Sequence, residues 1–376
     1  MKDILKNYIY PIATLAGSII GVGFLSLPYI TLKVGILVML FYFIALTTLV
    51  VFIHVIFAKI SLKTPDYKRW PGFVGFYLGR FPKAMVLVST VIGSFGVLLV
   101  YLIVGGQFLT AVFGPLFGGN EATYVFLYFA LASTFVYLGV RVVSKVDSLA
   151  LVLLVAILCV IFFEGFSHMN LGNVFAGAAS ATFLKNPNIF LPYGAIIFSL
   201  WGVGLIPEIE EMVIKNKKSL KRIIIIGTLI PALVYIAFIF LILAISGSQT
   251  SQSAFLGLKA FLGWPILTVA FLMGVVTTFI AFIAQGLLLK KVLMYDMGIK
   301  EGLAWVLTVF PPFVLFLLGF NSFIGLISFI GGILLSIDGI LILLMYRKIG
   351  GKKIIIYPLS LFFILAILYQ VIYFIR

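Results

Sequence analysis

Apolar residues run along this chain in long blocks, separated by short stretches where basic, polar and glycine residues gather. About 20 apolar residues suffice to cross a bilayer as a helix. Blocks of that kind fall at roughly 9–33, 35–58, 84–113, 122–141, 147–163, 189–213, 222–246, 264–289, 302–319, 323–345 and 354–375, which predicts about 11 transmembrane helices. Two blocks are interrupted where a membrane helix should be most regular. The first carries Gly21, Val22 and Gly23 and then Pro28; the sixth carries Gly202, Val203 and Gly204 and then Pro207. Glycine loosens the backbone and proline removes a donor, so both helices are expected to unwind there. An unpaired peptide group in hydrocarbon costs several kcal/mol, so unwound backbone persists only where it lines a polar cavity or binds a ligand. The competing reading is close helix packing, for which Gly17 and Gly21 supply a small-xxx-small pair. Recurrence of the break, each time with a following proline, favours a binding site, as in transporters with two broken helices.

Two connections are more than loops. Residues 62–83 carry Trp70, Phe73, Phe76 and Tyr77 among basic residues, which predicts a helix lying in the interface, and residues 251–263 predict a similar segment on the opposite face. Each follows the second span of its half. With the paired breaks, they imply an inverted repeat of five helices plus five, about 9–163 and 189–345, with an extra helix at 354–375. The whole of 1–376 reads as one transmembrane domain.

Composition agrees: 63% of the 376 residues are hydrophobic, 10% are charged and the mean hydropathy is +1.27, outside the range of a soluble domain. The net charge of +15 does not indicate nucleic acid, because the basic residues cluster between apolar blocks. With the amino terminus in the cytoplasm, 22 of the 26 Lys and Arg residues fall on cytoplasmic segments, and only Lys33, Lys185, Lys259 and Arg376 fall outside. The expected protein is a multi-pass protein of the cytoplasmic (inner) membrane with its carboxyl terminus outside and no cleaved signal peptide. One cysteine, Cys159, excludes an intramolecular disulfide, and two histidines make a Cys/His metal site unlikely to assemble.

The stretch Ala16 to Pro28 (Ala-Gly-Ser-Ile-Ile-Gly-Val-Gly-Phe-Leu-Ser-Leu-Pro) resembles the opening helix of the amino acid/auxin permease family and of the related bacterial aromatic amino acid permeases. Gly194 to Gly202, Ile206 to Ile209, Gly227 to Tyr235 and the Thr277, Thr278, Phe279 element of the eighth block resemble the same families. The resemblance implies an all-α membrane protein with the LeuT-type 5+5 fold, helices one and six broken, acting in secondary transport of an amino acid.

A zwitterion entering such a site exchanges water for fixed dipoles. The half-helix beginning near Phe24 presents its positive end, so amides around Gly21, Val22 and Gly23 are expected to bind the carboxylate, with Ser18 among the other substrate-binding residues. Carbonyls at Ala16 to Ile20 and Ser199 to Trp201 would receive the ammonium. The substrate side chain would face Ser199, Leu200, Trp201, Gly202 and Val203, with Tyr101 and Gly105 opposite. Trp201 has two readings, gate and packing, and so has Tyr101, hydroxyl contact and core.

No cofactor is expected apart from a coupling cation. The resemblance to sodium-coupled relatives implies oxygen ligands at Gly17, Ile20, Gly274, Thr277 and Thr278, a donor set that suits a hard cation; threonines that bond back to their own helix are the alternative. For proton coupling the candidates are Glu208, which equally complements a helix amino terminus, and Asp338, an intramembrane acid read as an inner gate or as the partner of a basic residue. His54 reads as structural, and Glu210 and Glu211 as a solvated or gating ion-pair cluster near the inner surface with Lys215 and Lys217. The expected function is symport of a neutral amino acid, aromatic or branched, with sodium or protons. An exchanger or a non-transporting amino acid sensor on the same scaffold is the alternative. No catalytic constellation of an enzyme is visible.

Overall fold

In a computed structural model, residues 5–66, 68–139, 144–176, 186 and 188–375 are described. All of the regular structure is helical apart from one isolated bridge between Ser251 and Ala254. The first span is α1 (Tyr10–Ile19) and α2 (Leu27–Val34), bent by 52° about the break. It is followed by α3 (Ile36–Lys63), the short α4 (Trp70–Leu78), α5 (Arg80–Phe117), α6 (Glu121–Tyr137), α7 (Ser144–Gly165) and α8 (Leu171–Phe175). The sixth span is α9 (Leu191–Leu200) and α10 (Ile206–Met212), and after it come α11 (Leu220–Ser246), α12 (Trp264–Tyr295) and α13 (Glu301–Leu317). The tenth span is α14 (Phe323–Phe329), a π-helical turn and α15 (Leu335–Lys348), and the chain ends in α16 (Lys353–Ile375). Among the described residues seven helices are long and apolar enough to cross a membrane, or eight with the bent first pair. Every one of the eleven apolar blocks coincides with helix.

Two apolar cores organise these helices. One is shared by α1, α3, α9 and α11, with Leu15, Ile53, Ile197 and Tyr235 among its buried members; the other joins α5, α6, α12 and α13 through Leu102, Tyr128, Phe282 and Val309. Bare backbone sets the closest approaches. A methyl on Gly105 would fall on the Tyr128 ring and one on Gly274 on the Phe108 ring, so these two glycines are spacers between helices of the second group and its neighbours.

The basic clusters meet on one face. Lys63 Nζ donates to the Ile349 carbonyl at 3.1 Å, Arg69 lies 3.7 Å from Asp296, and Lys290 donates to Glu301 at 2.8 Å. The opposite face is tied by Asn186, which donates to the Lys33 carbonyl at 2.9 Å. Lys2, Arg141, Lys185 and Arg376 lie outside the described residues, as do the side chains of Lys6, Lys145 and Lys215. Within the aromatic stretch at 62–83, Trp70–Leu78 forms α4, but it is packed rather than floating: Phe73 is fully buried against Phe57, and among the aromatics of α4 only Phe76 is exposed. The segment 251–263 instead dips inward as a short 3-10 turn, Phe255–Ala260, burying Phe255 between Phe108 and Phe238.

Candidate functional site

Between the two cores lies a cavity of about 840 Å3. It reaches both helix breaks, ends beneath Phe255 on one side and runs to Lys68, Arg69 and Lys291 on the basic face. α1 stops at Ile19, and Ile20 turns out of helical geometry with ψ 87°. α9 stops at Leu200, and Trp201 is extended with ψ 116°. Beyond the first break the amides of Val22, Gly23 and Phe24 have no backbone acceptor among the described residues, because Gly21 N bonds back to the Ile19 carbonyl and Leu25 N to that of Val22. These are the donors that an anionic group needs.

The four glycines of the breaks divide two tasks. A methyl on Gly23 would lie 2.6 Å from Phe198 and Ser199, and one on Gly202 would lie 2.8 Å from Ile19, so each of these lets one broken helix rest on the other. Gly21 faces the cavity, with only the Tyr101 hydroxyl within 3.8 Å of its added methyl, and Gly204 meets nothing within 4 Å. Packing and site are thus both served, one glycine of each pair for each.

Buried polar groups hold the breaks open. The Gly202 amide donates to His54 Nε2 at 3.1 Å, and His54 Nδ1 lies 3.0 Å from Thr228 Oγ1, whose hydroxyl donates to the Ile224 carbonyl at 2.8 Å. Because Nε2 must accept, Nδ1 carries the proton and the imidazole is neutral. Tyr235, stacked on Phe24 at 5.3 Å, points its hydroxyl at the carbonyls of both Ile19 and Ser199, each at 3.1 Å. One phenol therefore links the carbonyl ends of both first half-helices.

Of the residues expected from the sequence, the cavity is lined by Gly17, Ser18, Ile20, Gly21, Val22 and Tyr101 on the side of the first break and by Trp201, Gly202, Glu208, Gly274 and Thr277 on the other. Others stand away from it. Gly23 and Gly105 are occupied in packing, Leu200 and Val203 are buried in the first core, and the Ser199 hydroxyl donates to the Ala195 carbonyl at 2.7 Å. Thr278 is fully buried, with its hydroxyl 2.9 Å from the carbonyls of Gly274 and Val275, whereas Thr277 donates to Gly274 at 3.1 Å and lines the cavity. The expected carbonyls also sort themselves: those of Ile19 and Ser199 are taken by Tyr235 and that of Ala16 by the Ile20 amide, leaving Gly17, Ser18, Ile20 and Trp201 along the cavity. Asp338 is outside the lining and accepts from the Trp70 indole at 3.0 Å; its partner is an aromatic N–H and not a basic residue. Glu210 is not a solvated surface acid. It is 3% exposed and receives Ser61 Oγ at 2.5 Å and Lys217 Nζ at 3.1 Å, which ties α10 to α3.

Residues 7–337 match the family described as transmembrane amino acid transporter protein. The chain belongs to that family. Over 222 residues it is 21% identical to the tyrosine-specific transport system 1 of Haemophilus influenzae, covering 59% of this chain and 54% of the relative. It thus spans about half the length of that curated relative. Solved structures share the fold. MhsT in complex with L-phenylalanine superposes with a TM-score of 0.67 at 16% identity, over 97% of this chain and 98% of MhsT. Mhp1, a nucleobase-cation-symport-1 family transporter, gives 0.68 at 14% over 90% of this chain and 76% of Mhp1. The manganese transporter of Eremococcus coleocola gives 0.68 at 14% over 99% and 86%. This family member is therefore an all-helical transporter of the LeuT fold. Its sequence left the roles of Tyr235, Thr228 and Glu210 unread: Tyr235 sits in the family-like stretch after the sixth span, but nothing local marks a tyrosine as the link between two distant breaks.

Proposed function

We propose that this transporter imports a neutral amino acid with an aromatic or branched side chain by alternating access, holding it between the two helix breaks and drawing on a sodium gradient. The observation that carries the reading is the cavity itself, which is lined after the first break by Val22 and Phe24, whose amides have no backbone acceptor among the described residues, and by Gly17, Ser18 and Trp201 with their carbonyls. Its charged lining residues come from α10 and from the ends of helices on the basic face, so the zwitterion would meet backbone dipoles rather than fixed charge. Tyr101, Ile157, Trp201 and Met273 give the wall an apolar and aromatic character that suits the side chain. The tyrosine named for the Haemophilus relative and the phenylalanine bound to MhsT support the same class. Carbonyls of Gly17, Ile20 and Gly274 with the Thr277 hydroxyl, turned from its bond to Gly274, are the oxygen donors for sodium; Thr278 is left out because it is fully buried away from the cavity lining. The basic face is taken as cytoplasmic.

The test is uptake of labelled phenylalanine, tyrosine, leucine and alanine into proteoliposomes under a sodium gradient and a proton gradient in turn. Sodium-driven accumulation of the larger substrates is expected. Accumulation driven only by protons would move coupling to Glu208 or Asp338, and exchange without accumulation would replace symport by an exchanger.

A further inference from the structure

A second cavity, of about 550 Å3, lies at the elbow where α4 turns into α5 on the basic face. Gly79, at φ 95°, makes the turn between the two helices. Gly72 and Gly75 give the cavity a floor of bare backbone. A methyl on Gly72 would sit 3.1 Å from Lys68 Cβ and one on Gly75 would sit 2.8 Å from Lys83 Cδ, so the stems of both lysines lie along these glycines. Lys68, Arg69, Arg80 and Lys83 converge on the cavity, and Asp296 is the one carboxylate among its described lining residues. Lys68 is shared with Asp66 at 3.3 Å and Arg69 with Asp296 at 3.7 Å, whereas Arg80 and Lys83 have no partner among the described residues. Cations gathered in a concavity repel one another and attract an anion. On the flank of α5 beside Arg80, Phe81, Met85, Val88 and Ile92, spaced by four, three and four, form one exposed apolar stripe that follows the membrane-spanning part of the helix.

We propose that this cavity seats the phosphate headgroup of an anionic phospholipid of the basic-face leaflet, with its acyl chains along the Phe81 stripe. A soluble phosphate shares the headgroup chemistry, but only an amphiphile uses the cations and the stripe together. The position gives the lipid a route to the transport path. Lys68 and Arg69 line both cavities, Arg69 ties α4 to the end of α12, and Trp70 of α4 holds Asp338 of α15.

The purified full-length transporter, titrated with phosphatidylglycerol and separately with phosphatidylcholine and read by native mass spectrometry, tests this. Phosphatidylglycerol is expected to bind in preference. Arg80→Gln with Lys83→Gln should weaken that binding by roughly thirtyfold, the weight of two basic residues near an anionic surface. Arg80→Lys with Lys83→Arg should keep it, which separates lost charge from lost fold, and Lys352→Gln with Lys353→Gln, elsewhere on the same face, should leave it unchanged. Equal phosphatidylglycerol binding by the wild type and the Arg80→Gln, Lys83→Gln variant would overturn the proposal. Displacement of the lipid by millimolar glycerol phosphate would overturn its lipid assignment and make the site one for a soluble anion.

Discussion

His54 satisfies an amide that the break in the sixth span exposes in the middle of the protein, and it does so without charge. A neutral imidazole accepts on one nitrogen and donates on the other, so it can end one hydrogen-bond path at Gly202 and begin another through Thr228 to Ile224. Replacing it by leucine leaves the Gly202 amide and the Thr228 hydroxyl poorly satisfied in a buried place. His54→Leu is expected to lower unfolding stability by about 2 kcal/mol and to weaken substrate binding, measured by thermal unfolding and equilibrium binding on the same preparation; unchanged values in both would remove the role. At this scale the sequence is legible by residue type and not by partner. A lone histidine in an apolar helix reads as structural, and so it is. That it holds Gly202, 148 positions away, follows only from the packing of α3 on α9. Glu210 shows the same limit: beside Glu211 and a lysine cluster it reads as surface, yet the turn of α10 buries it against Ser61.

At the scale of elements, hydropathy blocks and glycine–proline breaks carry most of the information. Long apolar runs leave the backbone no alternative to helix in a bilayer, so among the described residues each block is helical outside its glycine–proline break. The breaks are legible because glycine and proline act on their own backbone; which glycine faces the cavity is decided by the neighbouring helix and is not. The same holds for the threonine pair of α12, where successive residues point about 100° apart. Thr277 faces the cavity and Thr278 the interior beside α5 and α6. Thr277→Val should therefore raise the sodium concentration for half-maximal binding roughly tenfold, equivalent to about 1.4 kcal/mol for a lost ligand, while Thr278→Val should leave it unchanged. Equal effects of the two substitutions on sodium titrations of substrate binding would place the cation elsewhere.

Over the whole molecule, Phe108 of α5, Phe255 and Phe271 of α12 close the first core on the face away from the basic clusters, and the central cavity runs from beneath Phe255 to Lys68, Arg69 and Lys291 on the basic face. The cavity is thus expected to be reached from the basic face. In a Cys159→Ser background, a cysteine at Ala284, which lines the cavity, should react with a membrane-impermeant thiol reagent added on the basic side of sealed vesicles. Reaction from the opposite side alone would contradict that access. This scale was the least legible in the sequence, since hydropathy shows where the helices lie but not which end of the cavity between them is open. The most direct test of the account is the affinity of the purified protein for phenylalanine and leucine with Gly21→Leu or Gly204→Leu in place. At both positions a side chain enters open cavity rather than a neighbouring helix. Affinity is expected to fall by about a hundredfold or more, close to 3 kcal/mol, with the unfolding temperature unchanged. Wild-type affinity in both variants would mean that the substrate is not held between the breaks.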